Sequence, residues 1–498
     1  RDPRVGRNDP GPCGTGKKFK HGHMQTRGSN GRATKPGDLR FAPPLTRERN
    51  PVLVNWLFNL GWMLVLALAT PWLAYRRWVQ QKRFGNWGEK LLGLVPVRSG
   101  SAPCIWLHAV SVGEVVQLSS LIAELERQVP GLEVVISTTT TTGNAVARQR
   151  VPNHTVIFWP LDFTWAISTA LRRLRPNLVV LVELELWPNF LSLARHHHVP
   201  VALINGRITE RSLKGYRRLG PLVRRMLSQL DWLSVQNREY ADRFLELGVP
   251  PERLSITGSI KFDGVMPDPA APAVTHLRQL LGIPPKARVF LAGSTHAPEE
   301  QLALAAWQQV RADFPELYLL LAPRHAERFE EVATLVRSQL GLPLLRRSEL
   351  KGPGMPATPG TVILLDSLGE LSRVWGLATV AFVGGSLTNR GGQSMIEPAG
   401  FGVPLIFGPQ TWNFATVVAQ LQAVQGATVV RNGDELTESL RFLMQNPALA
   451  QAQGRRAQEL IISSQGATRS IAERLAHIFT PVHSTEPETP QHRERQAA

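Results

Sequence analysis

At 498 residues and 55.1 kDa the chain is too long for one ordinary core, and two to three domains are expected. With 43% hydrophobic and 19% charged residues most of it should fold, while its two cysteines, Cys13 and Cys104, exclude a disulfide scaffold and a cysteine-built zinc site. The net charge of +17 invites a nucleic-acid reading, but residues 1–50 alone hold 12 Lys/Arg against 4 Asp/Glu, and the thin excess elsewhere suits an anionic substrate or an acidic membrane face equally well.

Residues 1–49 are rich in Gly, Pro, Lys and Arg with no apolar period, and are expected to be a disordered basic tail without an assigned role. Residues 481–498 read as a second tail. From Asn50 to Tyr75 no residue is charged, and 26 residues of helix at 1.5 Å each reach about 39 Å, enough to cross the hydrocarbon layer. Trp56, Trp62, Trp72 and Tyr75 supply rings suited to interfacial levels. Ala67-Leu68-Ala69 resembles a signal-peptide cleavage site, yet the apolar run continues to Tyr75 before Arg76-Arg77 stops it, which favours an uncleaved anchor over 50–75. Residues 31–49 and 76–94 carry five Lys/Arg each, so charge does not orient the anchor.

Beyond the anchor, short apolar runs alternate with helix-length segments. Strands are expected at 104–110, 132–138, 154–160, 177–186, 199–205 and 232–236, and again at 287–295, 317–324, 361–367, 380–386, 403–409 and 427–432. This is the pattern of parallel α/β winding, and it divides into a domain over 76–262, a Pro-rich linker over 263–286 and a domain over 287–480. Each half opens alike, a strand running through a polar turn into a helix with a carboxylate in its first turn, Glu114 in one and Glu299 in the other. Helix capping accounts for both. Two such domains facing each other place the carboxyl ends of both sheets around one cleft, where ligands bind in open α/β folds.

The strand ends carry the chemistry. In NLVVLVELELWPN, alternation puts Glu183 and Glu185 on one face, and two carboxylates in an apolar strand must be paired or used. NGRITERSLKGYRRLG (205–220) holds Arg207, Arg211 and Ser212; it reads as a solvated basic helix or as an anion site. Lys261 in GSIKFD is a surface lysine or a cation aimed at a departing phosphate. Arg324 directly follows a strand, and residues 382–409 hold seven glycines, which serve either phosphate approach or plain tight turns. Glu397 is placed to accept ribose hydroxyls. The segment 158–176 joins Trp159, Phe163 and Trp165 to Arg172, Arg173 and Arg175, as an interfacial patch or a core helix with a basic outer face. His196-His197-His198 reads as a helix end. No Asp-x-Asp pair occurs, which argues against the usual metal site for a sugar diphosphate.

Ten segments in one order, HAVSVGE (108–114), STTTTTG (137–143), ELELWPN (183–189), NGRITERS (205–212), TGSIKFD (257–263), GSTH (293–296), PRH (323–325), DSLGEL (366–371), GGS (384–386) and RGGQSMIEP (390–398), resemble the 3-deoxy-D-manno-octulosonic acid (Kdo) transferases of lipopolysaccharide synthesis. The resemblance covers about residues 50–480. It implies a GT-B fold, two Rossmann-like domains facing across a cleft, behind an N-terminal membrane-anchor helix that is single-pass or monotopic. The activity implied is inverting transfer of Kdo from CMP-Kdo to a lipid A precursor (lipid IVA) at the cytoplasmic face of a bacterial inner membrane, with no metal or other cofactor. On the matching positions, Glu114 resembles the proton acceptor, and Glu183 and Lys261 resemble residues that stabilise transition-state charge. Pro323, Arg324, Gly369, Glu370, Leu371, Ser394, Met395, Ile396 and Glu397 resemble the segments that hold CMP, with Arg207, Arg211 and Ser212 on the acceptor side. One departure is visible: the family's Asn-Pro-Leu-Glu run is here Ser394-Met395-Ile396-Glu397. Competing readings are a UDP-sugar glycosyltransferase or epimerase of the same fold, a nucleic-acid-binding protein, for which no reading module is present, and a membrane-tethered interaction protein with an inactive cleft.

Overall fold

The computed structural model describes residues 51–78, 85–265, 268, 270–352 and 357–479. The expected tails at 1–49 and 481–498 lie outside them, as do Asn50 and three positions of the expected linker. Two parallel seven-stranded sheets organise the molecule. The first takes β1 (Cys104–His108), β2 (Glu133–Thr138), β3 (Thr155–Phe158), β4 (Leu178–Val182), β5 (Val201–Gly206), β6 (Trp232–Val235) and β7 (Leu254–Ile256) in the order β3-β2-β1-β4-β5-β6-β7. The second takes β8 (Val289–Thr295), β9 (Tyr318–Pro323), β10 (Leu344–Arg346), β11 (Val362–Leu364), β12 (Val380–Val383), β13 (Leu405–Phe407) and β14 (Ala427–Val429) in the order β10-β11-β9-β8-β12-β13-β14.

Every strand expected from the apolar runs is present. The two additions, β7 and β10, are three-residue edge strands with half-buried or exposed side chains. The central strands are buried on both faces, as parallel sheets under helical layers must be. Along β1, Cys104 and Trp106 join the core beneath one helical layer, while Ile105 and Leu107 join the core beneath the other.

The helices of the first lobe that matter here are α1 (Pro51–Trp78), α2 (Trp87–Leu92), α3 (Val112–Gln128), α4 (Thr141–Arg150), α5 (Thr164–Leu174), α6 (Pro188–His196) and α7 (Glu210–Arg218). In α3 the buried residues Val115, Leu118, Leu121, Ile122 and Leu125 repeat at helical spacing, so one stripe seats the helix on the sheet. Trp159 and Phe163 are core residues and only Trp165 is exposed, so the segment 158–176 is a core helix with a basic outer face. His196 ends α6 and His197 caps it, as the helix-end reading of the triple histidine has it.

The chain crosses between the lobes twice. After the first sheet, the helix Pro272–Leu280 buries Val274, Leu277 and Leu280 in the second core. At the end of the described chain, the helix Ala467–Ala476 returns and buries Ile471, Ala472 and Leu475 in the core of the first lobe, against α3. The two crossings are bonded to each other: the Gln465 side-chain amide donates to the carbonyls of Phe262 (3.0 Å) and Val265 (2.8 Å), and the Gly466 amide donates to Asp263 (2.6 Å).

Each sheet has a switch point where the strand order turns from decreasing to increasing, between β1 and β4 and between β8 and β12, and in the second sheet β11 also inserts between β9 and the edge strand β10. A crevice opens at the carboxyl end of such a switch point. In the second lobe it is closed by a side chain. Glu299, fully buried, accepts from the amides of His296 (2.9 Å), Gly385 (2.7 Å), Ser386 (2.9 Å) and Leu387 (2.9 Å), joining the turn after β8 to the turn after β12. The close approach needs glycine: a Cβ on Gly384 would lie 2.5 Å from Thr295 Cα. Glu299→Ala strands four buried amides and should cost about 3–5 kcal/mol in urea unfolding. Glu299→Gln, which keeps an acceptor oxygen, should cost less; equal losses would mean that packing and not the amide cluster holds the turn.

Candidate functional site

The first lobe's switch point is built differently. β1 ends at His108, whose ring is fully buried, stacks on Trp159 at 3.8 Å between centroids and meets Ser137 Oγ through Nδ1 at 3.0 Å. Burial drives its pKa down to about 3, so it stands neutral. The turn that follows starts α3 with a capping box. Ser111 caps the helix, its hydroxyl taking the Glu114 amide at 3.3 Å, while Glu114 reaches back. Glu114 Oε1 accepts from Ser111 Oγ at 2.7 Å and Oε2 from the Val110 amide at 2.8 Å. The capping reading of Glu114 is therefore correct. Among the described residues each oxygen accepts one of these bonds and keeps acceptor capacity, so capping and proton acceptance are compatible.

β4 stops at Val182, four residues short of the expected strand end. Glu183 bonds its amide to the Ile204 carbonyl at 2.9 Å and then takes a left-handed conformation, φ 62°, which breaks the pleat. Alternation along one strand therefore does not relate Glu183 to Glu185; both sit on the loop that leads to Pro188, the first residue of α6. Glu183 accepts from Arg207 Nε at 3.0 Å and Lys261 Nζ at 3.5 Å, which gathers three expected site residues into one ion cluster. Among the described residues Glu185 receives only the Trp187 indole, at 3.1 Å. Burial, reinforced by the negative charges of Glu114 and Glu183, pushes its carboxyl up to about 7, with the indole pulling the other way. Tyr216 of α7 is raised too, by burial and then by Glu185. Glu114, Glu183, Glu185 and Tyr216 thus share one electrostatic neighbourhood. Glu185 had its signal in the paired-carboxylate pattern, and Trp187 had none. Of the other acceptor-side residues, Arg211 is exposed on α7, and the Ser212 hydroxyl is engaged with Thr209 at 2.9 Å in the cap of that helix.

Arg207 and Lys261 also line a cleft of about 390 Å³ between the lobes, faced from the second lobe by Trp412, Asn413 and Thr416. The expected donor-side residues all fall at the carboxyl edge of the second sheet. Arg324 is exposed immediately after β9, and its charge acts on Glu397, which burial raises and the Ser394 hydroxyl lowers. Glu370 accepts from Arg347 at 2.8 Å and from Ser367, beyond Gly369 in a left-handed turn (φ 84°). Pro323 is buried, and Leu371 packs against the second core. Met395 and Ile396 bury their side chains in that core, leaving backbone groups as what they can offer a ligand. The amides of Gly385, Ser386 and Leu387 are committed to Glu299, so this part of the glycine-rich stretch builds a tight turn instead of a phosphate cradle.

The family model of 3-deoxy-D-manno-octulosonic-acid transferases (kdotransferases) matches residues 81–264. The 3-deoxy-D-manno-octulosonic acid transferase of Haemophilus influenzae is 32% identical over 383 residues, covering 76% of this chain and 88% of the relative. That of Bordetella pertussis is 33% identical over 436 residues, covering 83% and 97%. Among solved structures, UDP-GlcNAc 2-epimerase from Neisseria meningitidis bound to UDP-GlcNAc superposes with a TM-score of 0.51 at 13% identity, over 75% of this chain and 100% of that one, a likeness of fold. The architecture is GT-B, as expected.

Glu185 gives a pH signature. Its folded pKa lies above the value of about 4.3 for a free glutamate, so the folded state holds a proton that the unfolded chain releases. Relative to Glu185→Gln, the wild-type protein should lose stability as pH rises from about 4.5 to about 7 and lose no more above that. Denaturant midpoints for both proteins across this range measure it; parallel curves would show that Glu185 ionises freely.

Proposed function

This chain belongs to the Kdo transferase family, and from that premise we propose that it moves Kdo from CMP-Kdo to a lipid A precursor by inverting, metal-independent transfer. The observation that carries the reading is the first lobe's switch point, where Glu114 stands in the same electrostatic neighbourhood as a Glu183–Lys261–Arg207 cluster that reaches the interlobe cleft. In the proposed step a hydroxyl of the acceptor sugar attacks the anomeric carbon of Kdo from the face opposite the phosphate. The hydroxyl proton passes to Glu114, the carbon–oxygen bond to phosphate breaks, and CMP departs with the electron pair. Lys261, held by Glu183, supplies positive charge at the cleft wall for the departing phosphate, where fixed dipoles and charges act at low reorganisation cost, and Arg207 on the same carboxylate faces the acceptor. On the second lobe Arg324, Glu370, Ser394 and Glu397 offer the charge and hydrogen-bonding groups for a cytidine monophosphate.

The acceptor is a lipid, and α1 provides the apolar surface that would keep the lobe at a bilayer, with exposed Leu60, Leu64 and Leu68. We place the lobes on the cytoplasmic face of the inner membrane, because a charged nucleotide sugar made in the cytoplasm does not cross the hydrocarbon layer. Holding enzyme and lipid in one surface raises their effective concentration. Nucleic acid plays no part in this reading.

The deciding experiment incubates the purified protein with CMP-Kdo, or with UDP-sugars, and a tetraacylated lipid A precursor, and weighs the product by mass spectrometry. A mass gain of Kdo from CMP-Kdo alone is expected; turnover of a UDP-sugar would overturn the donor. Glu114→Ala should lower kcat by about 10²–10⁴, roughly 3–5 kcal/mol in the barrier, with the protein still folded. Near wild-type turnover by a well-folded variant would remove Glu114 from the role. Lys261→Ala should lower kcat as well, and a change confined to KM for the lipid would mean the lysine binds acceptor instead of serving the leaving group.

A further inference from the structure

Helix α1 is long and apolar enough to cross a membrane, and its first turns are attached to the first lobe. One stripe of the helix is polar and docked. Asn59 is 1% exposed; its side chain donates to Thr164 Oγ1 (2.9 Å) and accepts from the Thr164 amide (3.1 Å) and the Asn189 side chain (3.2 Å). One turn earlier Asn55 donates to Ser192 Oγ at 3.3 Å. One turn later Trp62 packs on Trp187 at 5.9 Å and bonds to Asp162, a buried carboxyl that also takes the amides of Asn189 (3.0 Å) and Phe190 (2.9 Å). Positions 55, 59 and 62 share one face of the helix. The opposite face presents Leu57, Leu60, Leu64, Leu68 and Tyr75, all exposed.

The chain after α1 returns to the same place. The Trp165 indole donates to the Leu91 carbonyl at 2.9 Å, and the Leu161 amide to the Lys90 carbonyl at 2.7 Å. Asn59 and Leu91 are therefore bonded to adjacent residues of α5. A crossing begun after Trp62 would have only residues 63–78 left, about 24 Å of helix against a hydrocarbon core of about 30 Å. The seven Cα steps from Trp78 to Gly85, at most about 25 Å, would then have to recross it through Lys82 and Arg83.

We propose that α1 is an in-plane element of the first lobe, its Asn55–Asn59–Trp62 stripe seated on α5 and α6 and its leucine face sunk in one phospholipid leaflet, so that both flanks lie on the same side of the bilayer. This rests on the reading above that the protein works at a membrane. The docked stripe removes from lipid the two asparagines that a spanning helix would carry into it. The helix also sets Trp62 against Trp187, whose indole holds Glu185, so the leaflet is placed at the edge of the carboxylate cluster.

The full-length chain in bacterial membranes tests this. In a Cys13→Ser background, where the remaining Cys104 is buried, Asn50→Cys and Asp242→Cys are made singly and treated with a membrane-impermeant maleimide in sealed inside-out and right-side-out vesicles. Both should label in inside-out vesicles and neither in right-side-out ones. Labelling of the two positions from opposite sides overturns the in-plane arrangement. Protein that washes off the membranes altogether overturns the membrane reading itself, a separate failure. In the same background, Asn55→Cys with Ser192→Cys should close a disulfide on mild oxidation within membranes, losing at least ten-fold in maleimide reactivity. Two thiols that stay individually reactive would show that the helix leaves the lobe in lipid.

Discussion

A carboxylate taken out of water must be given donors or be left holding a proton, and the two switch points of this molecule answer that demand in opposite ways. In the second lobe Glu299 receives four backbone amides and becomes part of the frame. In the first lobe the donors are divided among three carboxylates: Glu114 has a hydroxyl and an amide, Glu183 has two cations, and Glu185 has one indole. The same turn, a strand followed by a helix with an acid in its first turn, is thus a rivet in one half and a place of unspent acceptor capacity in the other. That asymmetry is the physical basis on which we propose the proton-accepting step for the first lobe and donor recognition for the second.

The same logic reaches outward to the lipid side. Asp162 is buried beneath the entry of α6 and is satisfied by two amides of that helix and by an indole from α1. Trp187, the residue before α6, lies between α1 and Glu185. The carboxylate cluster and the apolar helix are consequently attached to the same short stretch of chain, 183–190, and the loop that carries the carboxylates has a fixed floor.

Much of the fold was legible because parallel strands covered on both faces leave continuous apolar runs, and these are what the sequence displays. β7 and β10 were not legible because edge strands bury too little to need such a run. The early stop of β4 was hidden because the left-handed turn at Glu183 is made by a residue type that gives no notice of it. At the site, the ten motifs placed Glu114, Glu183 and Lys261, and the paired glutamates flagged Glu185, but the long-range partners that set their charge, Arg207 for Glu183 and Trp187 for Glu185, follow from tertiary packing. The two asparagines four residues apart in an otherwise apolar run were visible from the start; their meaning depends on Thr164, Asn189 and Ser192, more than a hundred residues away.

The double crossing between lobes has a mechanical outcome. Because the outgoing segment at Phe262–Val265 and the returning segment at Gln465–Gly466 are bonded to one another, the two crossings share one seam and are not two separated tethers. A seam of this kind resists separation of the two bodies more than it resists a turn about its own line. The width of the cleft that Arg207 and Lys261 line from one side and Trp412 and Asn413 from the other is then tied to the geometry of that seam. Severing the returning segment would leave the first lobe without the helix that backs its core.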